Sequence, residues 1–308
     1  LVSIGVIATF ITYGQNFIQP LRLLANIYNS IQAALAGAER IFAILDAPPE
    51  NEQRRPVPDP LRGEVVFERV RFGYLPEHPV VREMSLAVAP GQTVALVGPT
   101  GAGKTTIMNL LTRFYEIDDG RILLDGHDLR DLAAVELRRR IGLVPQETFL
   151  FAESVLENIR FGRLEASDAE CIAAARLADA DHFIRQLPHG YHTDLAERAG
   201  NLSQGQRQLL AIARAILARP SILILDEATS SVDTRTEARI QRALQRIMDQ
   251  QTSFVIAHRL STIRDADLVV VIDDGRIVEQ GTHHQLLARR GLYHHLYTSQ
   301  FKGKTVAG

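Results

Sequence analysis

Residues 98–106 read Gly-Pro-Thr-Gly-Ala-Gly-Lys-Thr-Thr and fit the spacing of a phosphate-binding loop. Glycines let backbone N–H groups turn toward an anion, and a helix N-terminus adds its positive dipole end. We expect Lys104 to reach the β- and γ-phosphates of a nucleotide and the Thr105 hydroxyl to ligate Mg²⁺. The loop residues predicted to contact the nucleotide are Gly98, Thr100, Gly101, Ala102, Gly103, Lys104, Thr105 and Thr106.

The sequence around this loop has the elements that must position it. An apolar run at 94–97 predicts a buried parallel strand, and apolar residues spaced at Ile107, Leu110, Leu111 and Phe114 predict a helix. The fingerprint G-x-G-x-x-G of a dinucleotide-binding fold is absent from this loop. The order strand, glycine loop, helix therefore favours a phosphate-loop domain.

Two adjacent carboxylates end a second apolar run, at 221–225. Successive residues of a strand point to opposite faces, so Asp226 and Glu227 can take different roles. We predict that Asp226 holds Mg²⁺, directly or through water, and that Glu227 is the catalytic base or positions the attacking water. An exposed acidic strand end is the alternative interpretation, and it is less favoured beside a phosphate loop.

The composition excludes several classes of protein. The chain has 308 residues, with 34 basic and 36 acidic side chains and a net charge of −2, so no nucleic-acid partner is expected. The single cysteine, Cys171, excludes an internal disulfide and is predicted to be a buried core residue on a helix. The adjacent pairs His283-His284 and His294-His295 are predicted to be surface residues.

The N-terminal part is predicted to be one long helix over 1–47. Residues 1–21 carry no charge, and at about 1.5 Å per residue they could cross a hydrocarbon core of about 30 Å. We predict a transmembrane helix there, kinked but not ended by Pro20, with an amphipathic cytoplasmic extension. A buried helix of a soluble domain remains the alternative. The first residue is Leu1, not Met, so we expect a fragment or a processed piece.

Prolines mark the domain boundary. Five of them fall within 48–60, which predicts a semi-stiff linker, and 61–308 is predicted to form the second domain. Antiparallel strands are predicted at 65–70 and 85–88, and mostly helix at 150–218. Further strands, with a hairpin before the last, are predicted at 222–226, 254–257, 268–272 and 276–279. The alternation predicts an α/β fold with a mixed sheet, an antiparallel β subdomain and a helical subdomain.

These motifs together resemble the nucleotide-binding domain of an ABC transporter, over residues 61 to about 300. Residues 202–206, Leu-Ser-Gln-Gly-Gln, are similar to the family's LSGGQ signature and precede an apolar helix. A hydroxyl and backbone N–H groups at a helix N-terminus form an anion site. The resemblance implies that Ser203, Gly205 and Gln206 contact ATP.

Further family motifs match residue by residue. Gln146 resembles the glutamine loop, which contacts Mg²⁺ and takes part in catalysis. His258 resembles the switch histidine at the γ-phosphate, and Asp233 resembles the loop that communicates across the nucleotide-domain dimer. Tyr74 resembles the aromatic residue that stacks on adenine. Residues 193–200 look like the segment that exporters place against the membrane domain.

The resemblance extends to the N-terminal helix. Residues 17–21 and 38–42 resemble the end of the last membrane helix of exporters. This implies an exporter subunit in the cell membrane, with its ATPase domain in the cytoplasm and a transported substrate that the sequence does not identify. Two nucleotide-binding domains, as a homodimer or a heterodimer, would hold each ATP between Lys104 of one and Ser203 of the other. A soluble ABC-type ATPase acting on DNA or ribosomes and a phosphate-loop kinase are the alternatives.

Overall fold

The computed structural model divides the chain into two units, Leu1–Asn51 and Glu52–Gly308. The residues whose structure is described are 3–47, 54–146, 148–196, 199–226, 234–249, 251–257 and 260–299.

The first unit is a single long helix, α1 (Ile4–Leu45), which continues through Pro20 as predicted. None of its residues is buried within the chain. Among the residues that the structure describes, no helix is both long enough and apolar enough to cross a membrane. The prediction that residues 1–21 form a transmembrane helix stays a prediction.

The second unit contains two sheets. The strands in chain order are β1 (Val65–Phe72), β2 (Val81–Val88), β3 (Thr93–Val97), β4 (Asp119–Leu124), β5 (His127–Asp128), β6 (Ile141–Val144), β7 (Ile222–Asp226), β8 (Thr252–Ile256), β9 (Leu268–Asp273) and β10 (Arg276–Gly281). One sheet is antiparallel, with four strands in the order β2-β1-β4-β5. The other has six strands in the order β10-β9-β3-β8-β7-β6, and is parallel except for β10.

Helices cover the larger sheet and fill the segment between β6 and β7. They are α2 (Lys104–Leu111), α3 (Ala134–Arg139), α4 (Val155–Arg160), α5 (Asp168–Leu177), α6 (Asp181–Ile184), α7 (Gln204–Ala218), α8 (Thr234–Met248), α9 (Leu260–Asp265), α10 (His283–Arg289) and α11 (Leu292–Tyr297). The predicted mixed sheet, antiparallel β subdomain and helical subdomain are confirmed.

The six-stranded sheet separates two hydrophobic cores. Because side chains alternate along a strand, Leu96 and Ile224 enter one core, which also contains the apolar side of α2 and the antiparallel sheet. Val97 and Leu225 enter the other core, which contains the apolar sides of α4, α5, α7 and α8. The phosphate-loop helix α2 and the helix α7 that follows the LSQGQ motif therefore pack on opposite faces of one sheet.

Part of the predicted linker belongs to the second unit and packs within it. Arg55 donates its backbone N–H to the carbonyl of Asp131 at 2.9 Å, and its own carbonyl accepts from Ala133 at 2.9 Å. Val57 is buried beside the antiparallel sheet because its side chain is apolar. Residues 48–53 of the predicted linker lie outside the described residues.

Two predictions about single side chains have different outcomes. Cys171 is buried on α5, as predicted. His283 is buried on α10, which corrects its predicted place on the surface. Its Nδ1 lies 2.6 Å from the hydroxyl of Tyr293, so a partner on α11 satisfies the buried ring. The neighbouring His284 is exposed.

Candidate nucleotide-binding site

Parallel pairing brings the predicted site segments to one edge of the six-stranded sheet. Leu96 of β3 pairs with Ile256 of β8, Ile256 pairs with Asp226 of β7, and Leu225 of β7 pairs with Val144 of β6. The carboxyl ends of these strands meet at the same edge. The phosphate loop, the carboxylate of Asp226 and the loop of Gln146 therefore leave the sheet at the same edge.

Glycines allow the phosphate loop its tight path. A Cβ at Gly98 would lie 2.1 Å from the carbonyl oxygen of Ile272, so no side chain fits there. Gly101 and Gly103 have φ angles of +84° and +100°, a region that favours glycine. Gly103 is the N-cap of α2, and no side-chain hydrogen bond caps this helix. The N–H groups of its first turn are thus available to an anion.

Lys104 links the loop to the second predicted motif. Its Nζ donates hydrogen bonds of 2.8 Å to the carbonyls of Gly98 and Pro99, so the ammonium lies over the loop. Burial lowers the pKa of Lys104, and the charge of Asp226 acts in the opposite direction. The structure therefore brings together Lys104 and Asp226, which are far apart in sequence.

The oxygen atoms that Mg²⁺ requires are present at this edge. Thr105 is exposed at the start of α2, and Asp226 is the last residue of β7. Mg²⁺ prefers oxygen ligands and is usually held by one or two protein groups together with substrate phosphates. Within the described ranges no group of three or more histidine, cysteine or acidic side chains could hold a metal by itself. A hydroxyl and a carboxylate that share a phosphate site fit Mg²⁺.

Tyr74 stands beside the phosphate-loop helix. Its hydroxyl lies 3.2 Å from the hydroxyl of Thr106, which is buried in the first turn of α2. The ring is 48% exposed, so a planar base has room to stack on it. Thr106, which the sequence predicts to be a nucleotide contact, therefore also contacts the residue predicted to stack on adenine.

The LSQGQ segment forms a helix start of a different kind. The Ser203 hydroxyl accepts the backbone N–H of Gln206 at 3.2 Å, and the Gln206 side chain accepts the N–H of Ser203 at 2.9 Å. This reciprocal capping box begins the 15-residue helix α7. Ser203 is exposed, and Gly205 is buried in the first turn.

A buried polar cluster behind this helix was missed by the sequence analysis. Arg214 of α7 donates to the backbone carbonyl of Asn158 at 3.0 Å, to its side-chain Oδ1 at 3.2 Å and to the carbonyl of Phe149 at 3.2 Å. The guanidinium also lies over the rings of Phe151 and Phe161. Burial lowers the pKa of Arg214. An arginine within the apolar run of α7 was the signal that a buried partner exists.

The remaining predicted site residues have separate outcomes. Gln146 is exposed in a bend that follows β6. Ala257, the residue after β8, donates its N–H to the Leu96 carbonyl at 3.2 Å. The residues Glu227, Asp233 and His258 lie outside the described residues, so their predicted roles stay predictions.

The parallel strand edge, the glycine loop and the acidic end of β7 define a phosphate-loop ATPase domain. Residues 81–230 match the family model described as ABC transporter. This match, together with the similar proteins, shows that the chain belongs to the ABC transporter family.

Similar proteins extend the match beyond the ATPase domain. The chain is 53% identical over 295 residues to the fatty acid ABC transporter ATP-binding/permease protein of Mycobacterium bovis, covering 96% of this chain and 47% of the relative. It is 46% identical over 304 residues to the ATP-dependent lipid A-core flippase of Syntrophus aciditrophicus, covering 98% and 50%. The chain spans about half the length of these curated relatives.

A solved structure is similar over the same span. It is the structure of a bacterial Atm1-family ABC exporter with ATP bound, with a TM-score of 0.80 and 40% identity. The match covers 97% of this chain and 53% of that chain, so it includes the N-terminal helix.

Proposed function

We propose that this chain is the ATP-binding and ATP-hydrolysing part of an ABC exporter. The observation that carries the proposal is the convergence of Lys104, the uncapped start of α2 and Asp226 at one sheet edge. A cation, backbone N–H groups and a carboxylate are the parts that nucleoside triphosphate and Mg²⁺ require. The relatives with ATP in their names or titles support ATP as the nucleotide.

Each side chain then has a role in hydrolysis. Lys104 and the loop N–H groups bind the phosphates, and Tyr74 stacks on adenine. Glu227 takes a proton from the water that attacks the γ-phosphorus, while Gln146 and His258 orient the reacting groups. The bond from the γ-phosphorus to the bridging oxygen breaks, which yields ADP and inorganic phosphate. Thr105 and Asp226 would hold Mg²⁺, which would neutralise phosphate charge.

The second anion site points to a second nucleotide domain. Helices α2 and α7 pack on opposite faces of the sheet, which supports a Ser203 that serves the phosphate loop of another subunit. Two copies related by a two-fold axis would then enclose two nucleotides, with Asp233 at the dimer interface. The partner is a second copy of this chain or a related chain.

The relatives support an export role at the cell membrane, with this domain on the cytoplasmic side. Two are named as a permease protein and a flippase, and a third is titled an exporter. ATP bound in a closed dimer would shift an attached membrane domain from one access state to the other. We expect the transported substrate to contact parts of such proteins that this chain does not cover.

Complementation between two inactive variants tests the proposal. One chain carries Ser203→Ala with Gly205→Asp, and the other carries Lys104→Ala. Neither hydrolyses ATP alone, because each pure dimer lacks one half of both sites. A mixture restores up to one active site per dimer, which phosphate release measures. The Lys104→Ala chain also binds ATP about 10- to 100-fold more weakly, the scale of a hydrogen bond to a charged group.

Three results would count against the proposal in different ways. A wild-type chain without Mg²⁺-dependent ATP hydrolysis would contradict the ATPase role of a self-pairing chain. A Ser203→Ala, Gly205→Asp variant with full activity would remove the signature from the site. A mixture that stays inactive although both chains fold and associate would mean that each site acts within one subunit, that both sites must hydrolyse ATP together, or that the natural partner is another protein.

A further inference from the structure

Three aromatic rings form a cluster beside the phosphate-loop helix. The Tyr74 ring lies 5.1 Å from the Phe72 ring at 83° and 5.0 Å from the Tyr115 ring at 87°, measured between centroids. Phe72 and Tyr115 also touch each other, at 5.6 Å. Both neighbouring rings are nearly perpendicular to the Tyr74 ring, so neither is stacked in parallel on its face. Such edge contacts fix the direction of a ring.

The three rings differ in exposure. Phe72 is 4% exposed and belongs to the core, whereas Tyr74 and Tyr115 are 48% and 45% exposed. Phe72 therefore forms the buried side of the cluster, and Tyr74 and Tyr115 both lie at its surface. The contacts with Phe72 and Tyr115 together restrict rotation of the Tyr74 ring.

Tyr115 also connects Tyr74 to the phosphate loop through α2. The hydroxyl of Tyr74 contacts Thr106 in the first turn of this helix, and Tyr115 follows the last turn. The helix has eight residues and spans about 12 Å. Tyr74 thus contacts the first turn of the helix whose N-terminus would bind the phosphates, and also Tyr115, which lies four residues after that helix ends.

We propose that Tyr115 is a positioning residue for the base of a purine nucleoside triphosphate. It holds the Tyr74 ring in the orientation in which the exposed face of the ring can stack on the base. The proposal rests on the proposed function, in which Tyr74 stacks on adenine. If Tyr115 only covered Phe72, its removal would lower stability and would affect all phosphate ligands alike.

Calorimetric titration with two ligands separates these possibilities. The ligands are Mg²⁺-ATP and inorganic triphosphate, which lacks a base, and the variants are Tyr115→Ala, Tyr115→Phe and Tyr74→Ala. We expect Tyr115→Ala to weaken ATP binding about 2- to 10-fold, the scale of one aromatic pair, and to leave triphosphate binding unchanged. Tyr115→Phe keeps the ring and restores ATP affinity to within about twofold.

Phe114→Ala is the matched control. Phe114 is the preceding aromatic residue and is also exposed, but its ring packs against the Arg138 guanidinium. We expect this variant to bind both ligands like the wild type. Thermal unfolding of each variant confirms that the binding changes are measured on folded protein.

The outcomes distinguish this inference from the proposed function. Tyr74→Ala that weakens ATP while Tyr115→Ala does not would overturn the positioning role alone. An equal loss of ATP and triphosphate binding in Tyr115→Ala would also overturn it. If Tyr74→Ala leaves ATP affinity unchanged, the adenine site and the inference fail together, although hydrolysis at Lys104 would stand.

Discussion

The two helix starts at Gly103 and Ser203 are built in opposite ways. At the start of α2 no side chain caps the helix, and a left-handed glycine turns the backbone toward the loop. At the start of α7 the side chains of Ser203 and Gln206 satisfy each other's backbone N–H groups. The backbone N–H groups at the start of α2 remain available to a ligand. At the start of α7, some of the N–H groups are already used in hydrogen bonds within the chain.

This difference bears on when each site binds. The first turn of α2 is ready for phosphate in a single chain, because no side chain occupies its backbone N–H groups. A ligand at Ser203 must compete with the capping box or use the remaining hydroxyl proton. The geometry therefore favours α2 as the primary nucleotide site and α7 as a contact made later, when a second domain closes on it.

The largest effect is expected at the reacting edge beside α2. Glu227→Gln should lower ATP turnover by about 10²- to 10⁴-fold, the usual contribution of a general base, while ATP still binds. The amide cannot take the proton of the attacking water. Steady-state phosphate release and ATP titration measure the two quantities separately. The control is Glu165→Gln, a change at an exposed carboxylate before α5, which should leave turnover unaltered.

Turnover of Glu227→Gln within a few-fold of the wild type would show that the base lies elsewhere. The two helix starts would then no longer differ in their chemistry, since the sheet edge next to α2 would only bind nucleotide.

A second effect should fall on the α7 side, where side chains hold the backbone. Asn158 is 1% exposed and donates to the carbonyls of Phe151, Glu153 and Ser154 at 3.0, 3.3 and 3.1 Å. Its Oδ1 also accepts from the half-buried Arg214. Asn158→Ala should lower the free energy of unfolding by about 2–4 kcal/mol, because buried groups lose their partners.

Urea unfolding measures this change. The control is Asn201→Ala, since Asn201 is exposed and its two hydrogen bonds are 3.2 and 3.3 Å long. That change should lower the free energy of unfolding by no more than about 1 kcal/mol. Equal losses in the two variants would mean that the cluster around Arg214 does not organise the α7 side.

Much of the α2 side could be predicted from the sequence because its signals are local. The glycine spacing of the loop, the apolar strand before it and the paired acids after 221–225 each lie within a short stretch. The strand at Ile222–Asp226 appears where the sequence predicted it. Parallel pairing then places the ends of such strands at one edge without further information.

The contacts that the sequence analysis missed depend on chain segments distant from one another. Arg214 meets Asn158 across 56 positions, and Tyr74 meets Thr106 across 32. No local pattern encodes such pairs, because they form only after the sheet and its helices have packed. His283 was misassigned for the same reason, since its partner Tyr293 lies on the next helix.

The smallest predicted effect compares two matched caps. Ser203 and Ser167 both begin helices with a reciprocal capping box, so replacing either with alanine removes the same local interaction. Each change should lower the free energy of unfolding by about 0.5–2 kcal/mol, which urea unfolding measures. Only Ser203→Ala should also lower ATP turnover, by about tenfold, the scale of one hydrogen bond to a charged phosphate. ATP affinity of the dilute, unpaired chain should stay unchanged in both variants, because the phosphate loop of α2 is intact.

If Ser167→Ala lowers turnover as much as Ser203→Ala, the effect comes from helix stability, and the start of α7 is only a cap. If Ser203→Ala weakens ATP binding in the dilute chain, the two helix starts serve one nucleotide within one subunit.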